Sequence, residues 1–208
     1  MATSSRRVGA ETSKTRDTLL DCVEKMMLEE GYASVTYRAL AARAGVTPSL
    51  VQYYFPTLDD VFIAAIRRYS ERNLAYLDKI MEKRAEDPLR ALWEYSWDEA
   101  TGTLMTEFMA LGNHRKSIRT EIAAVTEGVR KLQLDALTAK FGADARPWGD
   151  LSLPALQLLI SSLPKFLNLE KGVGVETAHD ELIAAFEGYL DSIEPARKRK
   201  PAPRKRSR

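Results

Sequence analysis

With 208 residues and an apolar fraction of 45%, the chain can form one or two domains around a sizeable core. Its one cysteine, Cys22, excludes an intramolecular disulfide framework and a cysteine-based zinc site and fits a reducing compartment. The net charge of +2 conceals a strong asymmetry: residues 195–208 hold eight Lys or Arg (Arg197, Lys198, Arg199, Lys200, Arg204, Lys205, Arg206, Arg208) and no acid, so the remainder carries 23 basic against 29 acidic residues.

Residues 1–11 are small, polar and aperiodic, and read as a mobile arm whose Arg6 and Arg7 could reach a phosphate backbone or a minor groove. No apolar run follows the two arginines, so the signal-peptide pattern does not form. A first helix is predicted from about Ser13 to Glu30, with Leu19, Leu20, Val23, Met26 and Met27 on one face and Gly31 as its stop. Cys22 lies on this mainly apolar helix, a poor setting for a nucleophile.

Residues 34–55 predict two short helices and a tight turn. Thr36 is placed to cap the first helix, Tyr37 to Ala44, which is rich in alanine and contains Leu40. Gly45 can take the left-handed conformation that ends it, and Thr47-Pro48 is a second cap followed by proline at the first helical position. The second helix would run from Pro48 to Tyr54. On spacing alone two readings stand, an ordinary helical hairpin within a core or a helix-turn-helix that offers its second helix to the major groove.

Thr57 and Asp60 then form a capping-box pattern that opens a long helix to about Lys83, carrying Val61, Phe62, Ala65, Ile66, Tyr69, Leu74 and Leu77. It is the natural mechanical connection from a three-helix unit to the rest of the molecule. Beyond Asp87-Pro88 the periodicity remains helical. A helix from Pro88 to about Thr101 carries Leu89, Leu92, Trp93 and Trp97, one from Thr103 to Asn113 carries Leu104, Met105, Phe108, Met109 and Leu111, and Lys116 to Phe141 repeats apolar residues from Ile118 to Leu137. These suit an antiparallel bundle.

The last two helices offer more apolar surface than one edge of a small domain needs: Leu156, Leu159, Ile160, Leu163, Phe166 and Leu167, then Leu182, Ile183, Phe186, Tyr189 and Leu190. A homodimer interface is the simplest use for it. Pro154, Pro164 and Lys165 interrupt the most apolar stretch, 151–169, which argues against a membrane span and for a cytoplasmic protein. The basic segment 195–208 is expected to be disordered and to attract polyanions; a solubilising terminus is the plainer reading. His114 and His179 stand too far apart for a metal pair and read as surface or capping residues. No nucleophile with its base, glycine-rich phosphate loop or metal constellation marks an enzyme, and no cofactor is expected.

The chain resembles the TetR family of one-component bacterial transcription regulators, and the specific part of the resemblance lies in residues 19–62. The family shows a segment such as Thr-x-x-x-Ile-Ala-x-x-Ala-Gly-Val-Ser, a short helix ending in aromatics, and Lys-Glu-x-Leu opening the fourth helix. Thr36, Leu40, Ala41, Ala44, Gly45, Val46 and Thr47 stand at the matching places, followed by Tyr54, Phe55, Pro56, Asp59 and Val61. Two departures matter. Gln52 replaces a common tyrosine and could pair with adenine, and Leu58 replaces the phosphate-touching lysine, so backbone amides, Tyr53 or Arg38 would have to supply that contact.

The resemblance implies an all-α fold of about nine helices, with a DNA-binding domain at 12–56, an effector-binding and dimerisation domain at 57–194, and the basic tail at 195–208. It further implies double-stranded DNA, a second copy of the chain and a small effector as partners. Ser49, Leu50, Gln52 and Tyr53 are then candidates for bases, and Thr36, Arg38, Thr47, Tyr54 and Arg43 for phosphates, with Tyr37 and Pro48 completing the surface. Val51 and Phe55 should point into the hairpin core. Trp93, Trp97, Met105, Phe108 and Met109 are candidates for an apolar or aromatic effector pocket, with ordinary core packing as the alternative for each. A non-sequence-specific DNA-coating protein driven by the basic tail remains the rival function.

Overall fold

The computed structural model describes residues 3–100 and 103–194, with side chains over 14–98 and 104–194. Nine α-helices follow one another among these residues: α1 (Thr3–Glu30), α2 (Tyr37–Ala44), α3 (Pro48–Tyr54), α4 (Leu58–Lys83), α5 (Pro88–Ala100), α6 (Thr103–His114), α7 (Lys116–Phe141), α8 (Leu153–Gly172) and α9 (His179–Ile193). A 3-10 turn, Tyr32–Ser34, joins α1 to α2. The expected all-α architecture and its element order are therefore present. One expectation fails: α1 begins at Thr3 rather than near Ser13, so most of the segment read as a mobile arm is helical. Gly9 is the one glycine in 3–12 and no proline intervenes, so no strong breaker stops the helix from extending toward the N-terminus. The basic segment 195–208 lies outside the described residues.

Two apolar cores organise the chain. The first gathers Leu19, Leu20, Val23 and Met27 of α1, Leu40 of α2, Val51 and Phe55 from the end of α3, and Phe62, Ile66 and Tyr69 of α4. It also takes in Leu104, Phe108 and Leu111 of α6 and Ile118 and Ile122 of α7. The second joins Leu77 and Met81 of α4 to Leu92 and Trp93 of α5, Leu137 of α7, Leu156 and Ile160 of α8, and Phe186 and Leu190 of α9.

The boundary drawn at residue 56 is therefore not a boundary of packing. A unit of about 45 residues leaves too much apolar surface uncovered, and here α6 and the first half of α7 close over α1 and α4. Gly112 permits the close approach of α6 to α7, since a Cβ there would stand 2.8 Å from the Ile122 side chain. Division between the cores falls inside α4 and α7, which run through both.

Polar contacts reinforce each junction. The Tyr32 N–H donates to Glu107 Oε2 of α6 at 2.9 Å. Arg67 of α4 forks onto Glu121 of α7 at 2.8 and 2.7 Å. Asp59, in the first turn of α4, accepts from Ser117 and Arg115 at the α6–α7 corner. These two hydrogen bonds hold the Asp59 carboxyl below its ordinary pKa, the Ser117 hydroxyl being the larger cause. Arg67 does the same to Glu121. At the far end, the buried Glu194 caps α5 by accepting from Leu89 N at 3.1 Å and Arg90 N at 2.8 Å, and its burial pushes its pKa up.

Candidate nucleic-acid interface and the effector-side cavities

Each short helix of the hairpin is fixed by a cap. Thr36 is extended (φ −127°, ψ 160°) and its hydroxyl accepts from Ala39 N at 3.2 Å. Gly45 sits in the left-handed region (φ 68°, ψ 32°), where its N–H donates to Ala42 O at 3.3 Å and Val46 N donates to Ala41 O at 3.0 Å. This closure satisfies carbonyls that α2 would otherwise leave unpaired and turns the chain within two residues. Thr47 then caps α3, accepting from Leu50 N at 3.3 Å, with Pro48 behind it and Ser49 Oγ 3.0 Å from the Thr47 hydroxyl.

The period of α3 sorts its side chains as expected. Val51 and Phe55 are buried in the first core, while Pro48, Ser49, Gln52 and Tyr53 are exposed, Tyr53 by 74%. Leu50 and Tyr54 are half-buried, and Tyr54 meets Tyr53 edge-on with ring centroids 5.3 Å apart. Thr36, Arg38 and Thr47 are exposed as well. The hairpin thus presents hydroxyls, an amide, an exposed phenol and a guanidinium on a backbone that has few alternatives.

Two of the predicted contact residues also bond within the chain. The Tyr37 hydroxyl donates to Phe55 O at 3.0 Å, latching the start of α2 to the end of α3. Burial, with Asp60 second, raises its pKa. Arg43 pairs with Glu29 and, at 2.9 Å, with Glu30 at the C-terminus of α1. These bonds tie the hairpin to itself and to α1 through residues distant in sequence, which no local pattern indicates.

The start of α4 is also less suited to phosphate than expected. The capping box is complete: Thr57 N donates to Asp60 Oδ2 at 2.8 Å and Asp60 N donates to Thr57 Oγ1 at 3.1 Å. Two amides at that helix start are therefore occupied, and the carboxylates of Asp59 and Asp60 stand in the same turn. An unforeseen neighbour is Arg16 of α1, whose guanidinium lies over the Phe55 ring at 5.4 Å from its centroid. Its position thirty-nine residues before Phe55 gave no local signal of this contact.

The five residues expected to line one effector pocket separate. Trp93 is 2% exposed and stacks on Phe186 with centroids 4.5 Å apart, inside the second core. Phe108 is fully buried in the first core, edge-on to Tyr69 at 6.1 Å. Trp97 meets Trp93 edge-on and borders a small cavity of about 150 Å³ beside His179. Met105 and Met109 alone share a cavity, of about 280 Å³, between α6, α7 and α8. A wider groove of about 710 Å³ runs between α4 and α7 over Met81, Leu132 and Ala136.

The expected dimer face separates too. Leu156, Ile160, Phe186 and Leu190 are each no more than 2% exposed, because the second core of the same chain takes them, and Leu167 is 4% exposed. Leu159, Leu163, Ile183 and Tyr189 are half-buried against that core. Phe166 and Leu182 do face outward, joined by Leu158 and Leu169. His179 is likewise not a surface residue: it is buried and its Nε2 lies 2.8 Å from Glu170 Oε2, tying α9 to α8. Among the described residues no three His, Cys, Asp or Glu side chains cluster to hold a metal. No described helix is long and apolar enough to cross a membrane.

A capped helix-turn-helix is thus fused through shared cores to a helical body. Residues 19–65, from α1 into α4, match the family model described as bacterial regulatory proteins, tetR family. The chain is similar to the HTH-type transcriptional regulator AcrR of Shigella flexneri, 27% identical over 64% of this chain and 63% of that protein, so the likeness spans less than two thirds of the relative's length. It is also similar to the HTH-type transcriptional repressor BepR of Brucella suis biovar 1 (strain 1330), 26% identical over 78% of this chain and 83% of that one. Its fold is that of a transcriptional regulator from Saccharomonospora viridis solved in complex with choline, with a TM-score of 0.71, 16% identity, and coverage of 86% of this chain and 96% of that one. Residues 19–65 thus carry the likeness to the TetR family, and the two relatives extend it, at 26–27% identity, over most of the chain. The proteins it matches are regulators, not enzymes.

Proposed function

We propose that the chain is a homodimeric, ligand-responsive transcriptional repressor that binds a roughly palindromic operator in double-stranded DNA and is released by a small effector. The observation that carries this reading is the outer face of α3, where Ser49, Gln52 and Tyr53 are exposed on a helix whose other face, Val51 with Phe55 behind it, is locked in the first core. Gln52 can pair bidentately with adenine, Ser49 can reach either kind of base edge, and Tyr53, Thr36, Arg38, Thr47 and Tyr54 supply contacts to the backbone. Pro48 sets the entry angle of the helix and Leu50 offers an apolar contact to a thymine methyl.

A two-fold assembly supports an operator of two half-sites. The outward apolar residues Leu158, Phe166 and Leu169 of α8 and Leu182 of α9 form a face suited to a second copy. Repression is favoured by the name of the Brucella relative. Release by an effector is supported by the packing, because α6 and α7 enter the same core as α1 and α3 and hold α4 through Asp59 and Arg67. A ligand that moves α6 or α7 therefore changes the setting of α3, and both half-sites must fit at once. The protein would act in the cytoplasm, where its DNA is.

Selection from random duplexes at moderate salt tests the reading. Recovery of an inverted repeat supports it. A pool without sequence preference, with affinity that disappears on deleting residues 195–208, would instead establish a DNA-coating protein held by the eight basic residues of the tail.

A further inference from the structure

The groove of about 710 Å³ between α4 and α7 has an apolar floor and an acidic wall. Met81 of α4 and Leu132 and Ala136 of α7 form the floor. The two cations that line it are already held, Lys131 by Asp135 and Lys140 by Glu86, each at 2.6 Å. Asp78 and Glu82 stand differently. They lie one turn apart on α4, both exposed, and make no ion pair or hydrogen bond among the described residues. Like charges at this spacing repel, so a cation laid across both relieves the repulsion as well as pairing with them.

Gly128 supplies a second sign. It lies inside α7 and lines the groove, and a Cβ there would meet nothing within 4 Å. Glycine within a helix is unfavourable relative to alanine, and the described packing of this chain does not require it at this point. It leaves that turn of α7 bare, so an extended backbone can approach the helix closely.

The chain leaves α9 beside this groove. The Glu194 carboxylate accepts from the first turn of α5, and its carbonyl accepts from Arg90 Nε at 3.2 Å and Nη2 at 3.1 Å. Arg90 follows Glu86, at the end of the groove, by four residues, a span of at most about 14 Å. From Glu194 run residues 195–208, with eight Lys or Arg, no acid, and Pro195, Pro201 and Pro203 between them. A chain of that length can reach about 45 Å, whereas the groove from Asp78 to Glu86 follows only about 12 Å of α4.

We propose that the basic segment 195–208 docks in the α4–α7 groove of its own chain, with Lys and Arg side chains on Asp78 and Glu82 and its prolines over Met81, Leu132 and the bare turn at Gly128. Charge selects the occupant, because unpaired carboxylates line the groove and this segment holds the densest run of cations in the sequence. Docking withholds those cations from DNA phosphates and so lowers the sequence-independent part of DNA affinity. The assignment goes beyond the operator reading and stands independently of it.

A carbodiimide that joins lysine to carboxylate without a spacer tests it on the full-length protein, with isotopically light and heavy chains folded together. At low salt Lys198, Lys200 or Lys205 should couple to Asp78 and Glu82 at least fivefold more than to Glu94 and Asp191, exposed carboxylates near the exit but off the groove. The products should lie within single chains. Salt of about 1 M, where charges are screened beyond about 3 Å, should cut the coupling several-fold. Gly128→Leu, which fills the groove without changing a charge, should do the same at low salt. Asp78→Asn combined with Glu82→Gln should raise affinity for a scrambled duplex about threefold by freeing the segment. Coupling at Asp78 and Glu82 no greater than at Glu94 and Asp191, products that join a light chain to a heavy one, or coupling unchanged by Gly128→Leu would each overturn the docking. Equal scrambled-duplex affinity of the double variant and wild type would overturn the withholding of cations from DNA.

Discussion

The hairpin and the α8–α9 face are both rich in residues with obvious helical periodicity, yet they differ in what decides each residue's role. In the hairpin, local chemistry decides: Thr36 and Thr47 cap, Gly45 turns, and the period of α3 sends Val51 inward and Gln52 and Tyr53 outward. In α8 and α9 an apolar residue has three possible destinations, the chain's own core, a second copy, or a ligand. Periodicity cannot separate them, so Leu156 and Phe186 went to the core while Phe166 and Leu182 stayed outside. Polar satisfaction differs in the same direction. The buried Ser70 Oγ, Asp87 Oδ1 and Tyr189 hydroxyl lack a hydrogen-bond partner and all lie outside the hairpin, and burial pushes the Tyr189 hydroxyl up to about 12.

The largest effects should come where the two regions are alike, in their cores. Phe55→Ala and Phe186→Ala should each cost about 3–5 kcal/mol by denaturant unfolding. Both variants should unfold in one transition, because α4 and α7 run through both cores. Two resolved transitions would break the comparison and restore a boundary near residue 56.

Next come the devices that close each region. Glu194→Ala removes the acceptor for Leu89 N and Arg90 N and should cost about 1–3 kcal/mol. Its carboxyl pKa is raised in the fold, chiefly by burial, so its contribution is fully present below the unfolded value of about 4.3 and is lost as pH rises through the folded value. Asp59 and Glu121 are lowered, so what they contribute is present above the unfolded values and is lost as pH falls through the folded ones. Thermal melts between pH 3 and 7 should therefore show Glu194→Gln gaining relative to wild type at the upper end and Asp59→Asn losing the acid-side dependence. In the hairpin, Gly45→Ala should cost about 1–2 kcal/mol through its positive φ, and Thr47→Ala about 1 kcal/mol through its lost cap.

How much of this the sequence disclosed follows the same division. Helix order, both caps, the left-handed glycine, the capping box at Thr57 and the burial of Val51 and Phe55 rest on neighbours within four residues, where propensity and spacing act. The internal bonds of Arg43 to Glu29 and of Tyr37 to Phe55 depend on chain folding over longer spans. So does the division of the large aromatics, with Trp93 and Trp97 in the second core and Phe108 in the first, since large aromatic residues attract burial of any kind.

The smallest effect on stability should accompany the largest on function. Gln52→Ala changes an exposed side chain, so its unfolding free energy should stay within about 0.5 kcal/mol of wild type. Operator affinity measured against a scrambled duplex at one fixed salt concentration is the most direct check on the account. A reader that uses Gln52 predicts that wild type prefers the operator and that Gln52→Ala loses about 1–3 kcal/mol of that preference while its non-specific affinity is unchanged. Equal affinity of the wild type for operator and scrambled DNA would contradict it.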